Sequence, residues 1–442
     1  MPFNGALDHG GSTMATEHEP TTLRIGVFFD GTGNNRSNAV KGDEPVPEQA
    51  TGSYASALSN IALLYDAYPV ARGFLSLYVE GPGTLQGKPD SDIGWYTGSG
   101  ETGVRQRLGQ AALALAAKLQ AWRQSHPSVQ LQALKFDLFG FSRGAAGARA
   151  FANDLGKGTQ SLLAQACDFS PCLGWEQGVA IDFIGLFDTV GAIVEPLKFN
   201  FTSTNGDYGQ LHLALAPGVA GKVIQLVAAD EHRYNYPLVA TGNDLRLPGA
   251  HADLGGGYLQ VSREKIDLSR VQTSDLNADA DPLDSEAYAA ALALAADYTD
   301  VPGLTPQVRV WEARAGLLGH RKTVNAVLHR EREVHGHLSR VYLRIMHALA
   351  VDSQVPMQPL SAPSPGWELP QDLLVIAGKL EDFALGRSSV IGLTETERHL
   401  LHRKYVHTTA NWEAFTACGF LPDDLVYLNR PADEGRLVEP NV

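Results

Sequence analysis

The sequence predicts an α/β protein with a mostly parallel sheet flanked by helices, and three observations carry that prediction. Residues 23–30 (LRIGVFFD) and 179–187 (VAIDFIGLF) are nearly continuous apolar runs rich in β-formers. Such runs suit strands buried on both faces of a parallel sheet. They alternate with stretches of helical periodicity, the order that winds a parallel sheet. Finally, Leu134, Phe136 and Leu138 alternate with Lys135 and Asp137, and this strand runs into Gly140-Phe141-Ser142-Arg143-Gly144 and then an Ala-rich helical segment.

In chain order, residues 1–20 read as a flexible leader. The strand at 23–30 ends in a polar Gly/Asn loop, Gly31-Thr32-Gly33-Asn34-Asn35. Residues 40–53 read as loop, and 54–68 are apolar at helical spacing. A second strand at 74–79 is stopped by Gly81-Pro82-Gly83. A loop (84–100) leads to a helix over about 102–125, closed by His126-Pro127. After the strand at 134–138, the run 179–187 ends at Asp188-Thr189-Val190-Gly191. Residues 191–220 lack periodicity and are the expected place for a lid. The apolar stretch 221–250 precedes His251-Ala252-Asp253-Leu254-Gly255-Gly256-Gly257-Tyr258. Beyond 260 the character shifts, with a polar, acidic stretch at 264–286 and helices expected at 287–298, 338–349, 368–384 and 394–404. A Pro/Ser-rich linker falls at 355–365. The organisation expected is therefore a leader (1–20), a core (21–260) and a helix-rich C-terminal region (261–442) packed on the core, suited to a lid or to facing a membrane or partner.

With 442 residues the chain can bury a sizeable core, and a net charge of −14 argues against general nucleic-acid binding. No basic start followed by an apolar core opens the chain, so it does not read as a Sec signal peptide, and synthesis in the cytoplasm is expected. There is no run of about 18 apolar residues. Among three cysteines, Cys167 and Cys172 are close enough for a local disulfide, although free thiols are favoured; Cys418 stands apart. No Cys-x-x-Cys pair offers a structural zinc site. Asp275, Asn277, Asp279, Asp281 and Glu286 mimic an ion-binding loop, but Ala280 replaces its required glycine, so an acidic helix cap is the simpler account. His335 and His337 lie in a basic stretch read as a solvated helix face. No metal or other cofactor is expected.

The order strand, G-x-S-x-G, helix is that of the nucleophile elbow of serine α/β-hydrolases, with Ser142 as nucleophile. A sharp turn with unfavourable dihedrals needs small residues two positions away on either side. A serine nucleophile needs a base, and the base an orienting carboxylate, in the chain order Ser, Asp or Glu, His. Asp188 sits just past a buried strand, where active-site groups of open α/β sheets collect, although a turn aspartate would look the same. For the base, His251 in its Gly-rich loop and His407 further on both qualify. Oxyanion donors are expected from the amide of Arg143 and from Gly31 and Thr32, unless the loop 30–35 is only a structural turn. Asp253, two residues from His251, reads as structural.

Five motifs in series, FFDGTGNN (28–35), GFSRGAA (140–146), FIGLFDTVG (183–191), ADEHR (229–233) and PGAHADLGGGY (248–258), resemble a family of bacterial α/β-hydrolases. That family includes the type VI secretion phospholipase effectors, the first lipase-effector family. The resemblance spans residues 22–260. It implies phospholipase A activity on membrane phospholipids with Ser142, Asp188 and His251 as the triad, and so favours His251 over His407. It also implies carriage on a type VI secretion spike component, delivery into the periplasm of a rival bacterium, and neutralisation by a cognate immunity protein. A carboxylesterase on non-lipid esters and a non-enzymatic adaptor on the same fold are the alternatives.

Overall fold

The computed structural model describes residues 19–40, 44–91, 100–167, 178–191, 208, 211–298, 301–314, 320–360, 368–413 and 427–442. The central strands are β1 (Glu19–Phe29), β2 (Phe74–Val79), β3 (Val129–Phe141), β4 (Val179–Phe187), β5 (Lys222–Ala228) and, after the short β6 (Leu238–Val239), β7 (Asp244–Leu247). They lie in the order β2-β1-β3-β4-β5-β7, and each pairing is parallel. The strand order reverses between β1 and β3, and open α/β sheets bind ligands at the carboxyl ends of strands beside such a reversal. The Gly/Asn loop and the elbow are the two segments that leave those ends.

The helices are α1 (Asn60–Ala67), α2 (Val104–Ser125), α3 (Arg143–Leu155), α4 (Leu162–Ala166), α5 (His251–Gly255), α6 (Glu286–Asp297), α7 (Leu338–Asp352), α8 (Leu374–Ala384) and α9 (Glu395–Leu400). The strand runs alternate between two cores, which is why they read as continuously apolar. Leu23, Ile25, Val27 and Phe29 join Leu134, Phe136 and Leu138 beneath α2, α3 and α4. On the opposite face Phe28, Phe139, Phe183 and Phe187 meet α1, α7 and α8. Phe28 and Phe139 stack with ring centroids 5.0 Å apart. Each such side chain contributes about 1.5–3 kcal/mol through burial, so Phe139→Ala would cost about 3–5 kcal/mol. The polar member of the β3 pattern, Asp137, is fully buried, held by Arg24 at 2.7 and 2.9 Å and by the Tyr68 hydroxyl at 2.8 Å.

Several boundaries differ from the sequence expectation. β1 begins at Glu19, inside the expected leader. The region beyond 260 opens with four strands, β8 (Val261–Asp267), β9 (Gln272–Asn277), β10 (Gln307–Arg314) and β11 (Arg321–His335), in an antiparallel sheet with β11 paired to the other three. Their charged residues alternate with apolar ones, but the apolar positions are sparse, so the period is masked. The basic stretch is accordingly strand from Arg321 to His335 rather than a helix face, and only its last members, Arg340 and Arg344, fall on α7. Arg330 and Arg332 are buried on β11, and Arg332 Nε binds Glu264 at 2.7 Å. The ion-binding mimic is consumed by local structure: Asp275 accepts from Thr323 at 3.0 Å, Asp281 caps a 3-10 turn, and Ser285 rather than an acidic residue caps α6. Cys167 is buried. Cys172, Cys418 and residues 192–207, 209 and 210 of the expected lid lie outside the described residues, while Leu213 and Leu215 at its end are buried in the core under α2, α3 and α4.

The C-terminal tail returns to the core. β12 (Val438–Glu439) pairs in parallel with β6. Asn441 accepts from the fully buried Arg149 at 2.8 Å and exchanges bonds with Leu215 at 2.8 and 2.9 Å.

Candidate active site

Ser142 follows β3 and N-caps α3 with φ 57° and ψ −128°. A non-glycine residue in that region costs on the order of 1–3 kcal/mol and persists only where the surroundings enforce it. They do so by close packing. A Cβ on Gly140 would lie 2.5 Å from Ala145 Cα, and one on Gly144 would collide with the carbonyl oxygens of Phe29 and Asp30. The elbow is therefore pressed against its own helix on one side and the β1 loop on the other. The Ser142 amide donates to Phe187 O at 3.0 Å, which ties it to the end of β4.

Asp188, the first residue after β4, also has a left-handed backbone, φ 46°. Its carboxylate is fully buried and fully satisfied. Oδ1 accepts from the Ala228 amide at 3.0 Å and Arg436 Nη1 at 2.8 Å; Oδ2 accepts from Arg436 Nη2 at 2.8 Å and His251 Nδ1 at 2.5 Å. Burial opposes its ionisation, but the positive Arg436 and the His251 hydrogen bond outweigh that and hold it well below the usual carboxylate range.

His251 opens α5. Its ring packs against Phe141 at 4.7 Å and meets Tyr236 edge-on at 5.0 Å, and its amide donates to Glu231 at 3.3 Å. Burial pushes the imidazole below its ordinary pKa despite the pull of Asp188. A neutral ring donating Nδ1–H to Asp188 leaves Nε2 as a proton acceptor. Among the described residues, Ser142 Oγ has no hydrogen-bond partner. The structure thus joins Asp188 to His251 directly and sets Ser142 beside them, through Phe141 on the His251 ring and through Ser142 O, which accepts from the Val190 amide at 3.4 Å.

The β1 loop departs from expectation at one position. The Gly31 amide donates to Asp30 Oδ1 at 2.8 Å and so is not available as an oxyanion donor. Asp30 is buried and also accepts from Ser59 at 2.7 Å and Tyr78 at 2.6 Å; burial pushes its pKa up to about 6 against those three bonds. In contrast, among the described residues neither the amide nor the buried hydroxyl of Thr32 has a partner. The amide of Arg143 stands at the N-terminus of α3.

The rival base, His407, belongs to another carboxylate. Its Nδ1 pairs with Asp253 Oδ1 at 2.7 Å, its amide donates to Asp253 Oδ2 at 3.0 Å, and its ring stacks on Tyr258 at 3.7 Å. Asp253 also accepts from the Ala250 amide at 2.9 Å, so this pair braces the helix that bears His251. Glu231 forms a buried ion pair with Arg233 at 2.7 Å and accepts from Thr409 at 3.0 Å; burial opposes its ionisation, but Arg233 outweighs this and lowers the pKa to about 2. Sequence reasoning gave Glu231, Arg233 and Arg436 no role. The first two lie in the ADEHR motif, a signal that was present; Arg436 stands in no recognisable pattern.

No protein-family model and no curated protein matches the chain. Among solved structures, the Tle1 effector bound to the VgrG spike from the Type 6 secretion system is 25% identical, with a TM-score of 0.73, covering 96% of this chain and 94% of that one. An uncharacterized protein from Pseudomonas aeruginosa aligns with a TM-score of 0.44 at 19% identity, covering 83% of this chain and 51% of that one. The six-stranded parallel sheet flanked by helices is an α/β-hydrolase fold, and the chain resembles a type VI secretion effector over 96% of its length, beyond the residues 22–260 for which its motifs imply that likeness.

Proposed function

We propose that the protein is a type VI secretion effector that hydrolyses acyl esters of membrane glycerophospholipids, a phospholipase A. The observation that carries this reading is the Asp188–His251 hydrogen bond beside a strained elbow serine, on a fold shared over 96% of the chain with an effector. Ser142 Oγ attacks the ester carbonyl while His251 Nε2 takes its proton. The amides of Thr32 and Arg143, with the Thr32 hydroxyl, hold the tetrahedral oxyanion. Collapse expels the lysophospholipid alcohol, which receives the proton from His251, and leaves an acyl-serine. Water, deprotonated by the same imidazole, then releases the fatty acid and restores Ser142. Asp188 orients the imidazole and stabilises its charged form throughout. These groups suffice for acyl transfer, so the mechanism invokes no metal. The VgrG-bound neighbour supports a spike component as carrier. The proposed route is synthesis in the cytoplasm, delivery to the periplasm of a target cell, and neutralisation there by a cognate immunity protein.

The test is fatty-acid release from phosphatidylethanolamine/phosphatidylglycerol vesicles, with and without a chelator, each variant's fold being checked by circular dichroism. Ser142→Ala and His251→Ala should each lower turnover by on the order of a thousandfold or more. His407→Ala should stay within about tenfold of the parent, since its imidazole serves Asp253 rather than Asp188. Release that survives Ser142→Ala would sink the mechanism. Fast turnover of short soluble esters with no gain on vesicles would replace the phospholipase by a carboxylesterase.

A further inference from the structure

Arg436 lies 248 residues along the chain from Asp188, yet its guanidinium grips both carboxylate oxygens, each at 2.8 Å. The side chain is only 7% exposed. Its Nε donates to Tyr236 O at 2.7 Å, and the Tyr236 ring is the one that meets His251 edge-on. One planar group therefore touches both the orienting carboxylate and the loop that walls the base. The tail holding it is pinned on its C-terminal side by the β6–β12 pairing and by Asn441.

We propose that Arg436 is a positioning residue of the hydrolytic centre: its fork fixes the plane of the Asp188 carboxylate so that Oδ2 stays aimed at His251 Nδ1. This rests on the reading of Ser142, Asp188 and His251 as the triad. A carboxylate at the end of a strand can rotate about its last torsion, whereas two parallel N–H···O bonds from a rigid guanidinium remove that freedom. The charge matters too. Among the described residues, Arg436 from the tail and His251 from α5 act on Asp188 directly; Glu231 and Arg233 from the loop after β5 act on His251, Glu231 also on Arg436, and the buried Arg143 of α3 faces Tyr236. Glu231 and Arg233 already neutralise one another. Arg436 is thus the cation that balances Asp188, and without it a fully buried carboxylate is left with only a neutral imidazole and one amide. Either response raises the acid limb of kcat/KM: a carboxylate that protonates more readily loses the correct His251 tautomer, and one that stays ionised draws a proton onto His251.

The experiment is kcat and KM against pH for vesicle hydrolysis by the full chain, by Arg436→Met and by Arg436→Lys, with Ser142→Ala alongside and thermal unfolding of each. For Arg436→Met we expect kcat ten- to hundredfold lower, KM changed less than about threefold, and the acid limb moved up by about one pH unit. Arg436→Lys should restore the limb but only part of kcat, because an ammonium balances charge without gripping both oxygens in plane. A folded Arg436→Met with parental kcat and limb overturns the proposal, as does a loss of kcat that only tracks unfolding. If Arg436→Met does not fold, Arg436→Lys decides: reduced kcat at unchanged KM supports the proposal and parental kcat overturns it. Activity in Ser142→Ala would defeat the triad reading itself. A dead Ser142→Ala beside an unaltered Arg436→Met profile would defeat only the role of Arg436.

Discussion

Thr32 is where activity and stability should part. Its hydroxyl is buried without a partner, and such a group costs roughly 1–3 kcal/mol. Thr32→Val keeps the branched shape and the amide but removes the hydroxyl. Urea unfolding should show stability equal to or up to about 2 kcal/mol above the parent, because an unsatisfied donor is gone. Turnover should fall about ten- to a thousandfold if the hydroxyl meets the oxyanion. Unchanged turnover would remove the hydroxyl from the mechanism and leave the amide alone. The His251 environment sets a second expectation. Its base form is the neutral ring, and its pKa is lowered by burial. Activity should therefore persist below the ordinary histidine value of about 6.5 before falling with acid. An acid limb of kcat/KM above 6.5 would contradict that environment. At this scale the sequence was legible where chemistry dictates local pattern: the elbow around Ser142, Asp188 at a strand end, His251 in its Gly-rich loop. It misled at Gly31, because a pattern of glycines does not disclose that the neighbouring Asp30 carboxylate folds back onto the amide.

Between α3 and the loop after β1, the elbow works as a contact between elements. Gly144 lets the first turn of α3 touch the Phe29 and Asp30 carbonyls, so Ser142 and Thr32, the proposed nucleophile and oxyanion donor, share one rigid seam. Gly144→Ala must push that seam apart. A displacement near 1 Å at a reacting centre can cost about a hundredfold in rate. We therefore expect kcat to fall by about that factor in a variant whose far-ultraviolet circular dichroism is intact, and a kcat within twofold of the parent would show that the seam tolerates a methyl group. The parallel strands could be read because both faces are buried, leaving unbroken runs such as VAIDFIGLF. The sheet of β8 to β11 could not, because VSREKID and REREVH carry charge both on the solvent side and in the buried Arg332–Glu264 pair. Burial by charge pairing leaves no hydrophobic period.

The chain closes on itself at a place no local pattern announces. Residues 427–442 return to the core, where β12 pairs with β6 in a two-stranded sheet of their own, Asn441 meets the buried Arg149, Glu439 accepts from Tyr208 at 3.0 Å and Arg436 reaches Asp188. The described part of the region after 260 is thus tied to the residues before it both through the tail and through the His407–Asp253 and Thr409–Glu231 contacts. Removing residues 435–442 would strip Asp188 of its guanidinium and Arg149 of its side-chain acceptor in one step. Breaking a buried ion pair from one side costs about 3–5 kcal/mol, so the truncated protein should melt well below the parent and lose activity. Arg436→Met, which cuts one link and leaves the strand, should lose less stability while showing the same kinetic defect. Since the tail binds through its own strand and side chains, a synthetic peptide of residues 435–442 added to the truncated protein should restore hydrolysis with saturation, and the same peptide carrying Arg436→Met should raise the melting temperature but restore little turnover. A truncated protein with parental melting and activity would show that the strap is ornamental. Rescue by both peptides alike would show that it is a brace for the fold with no part in the chemistry.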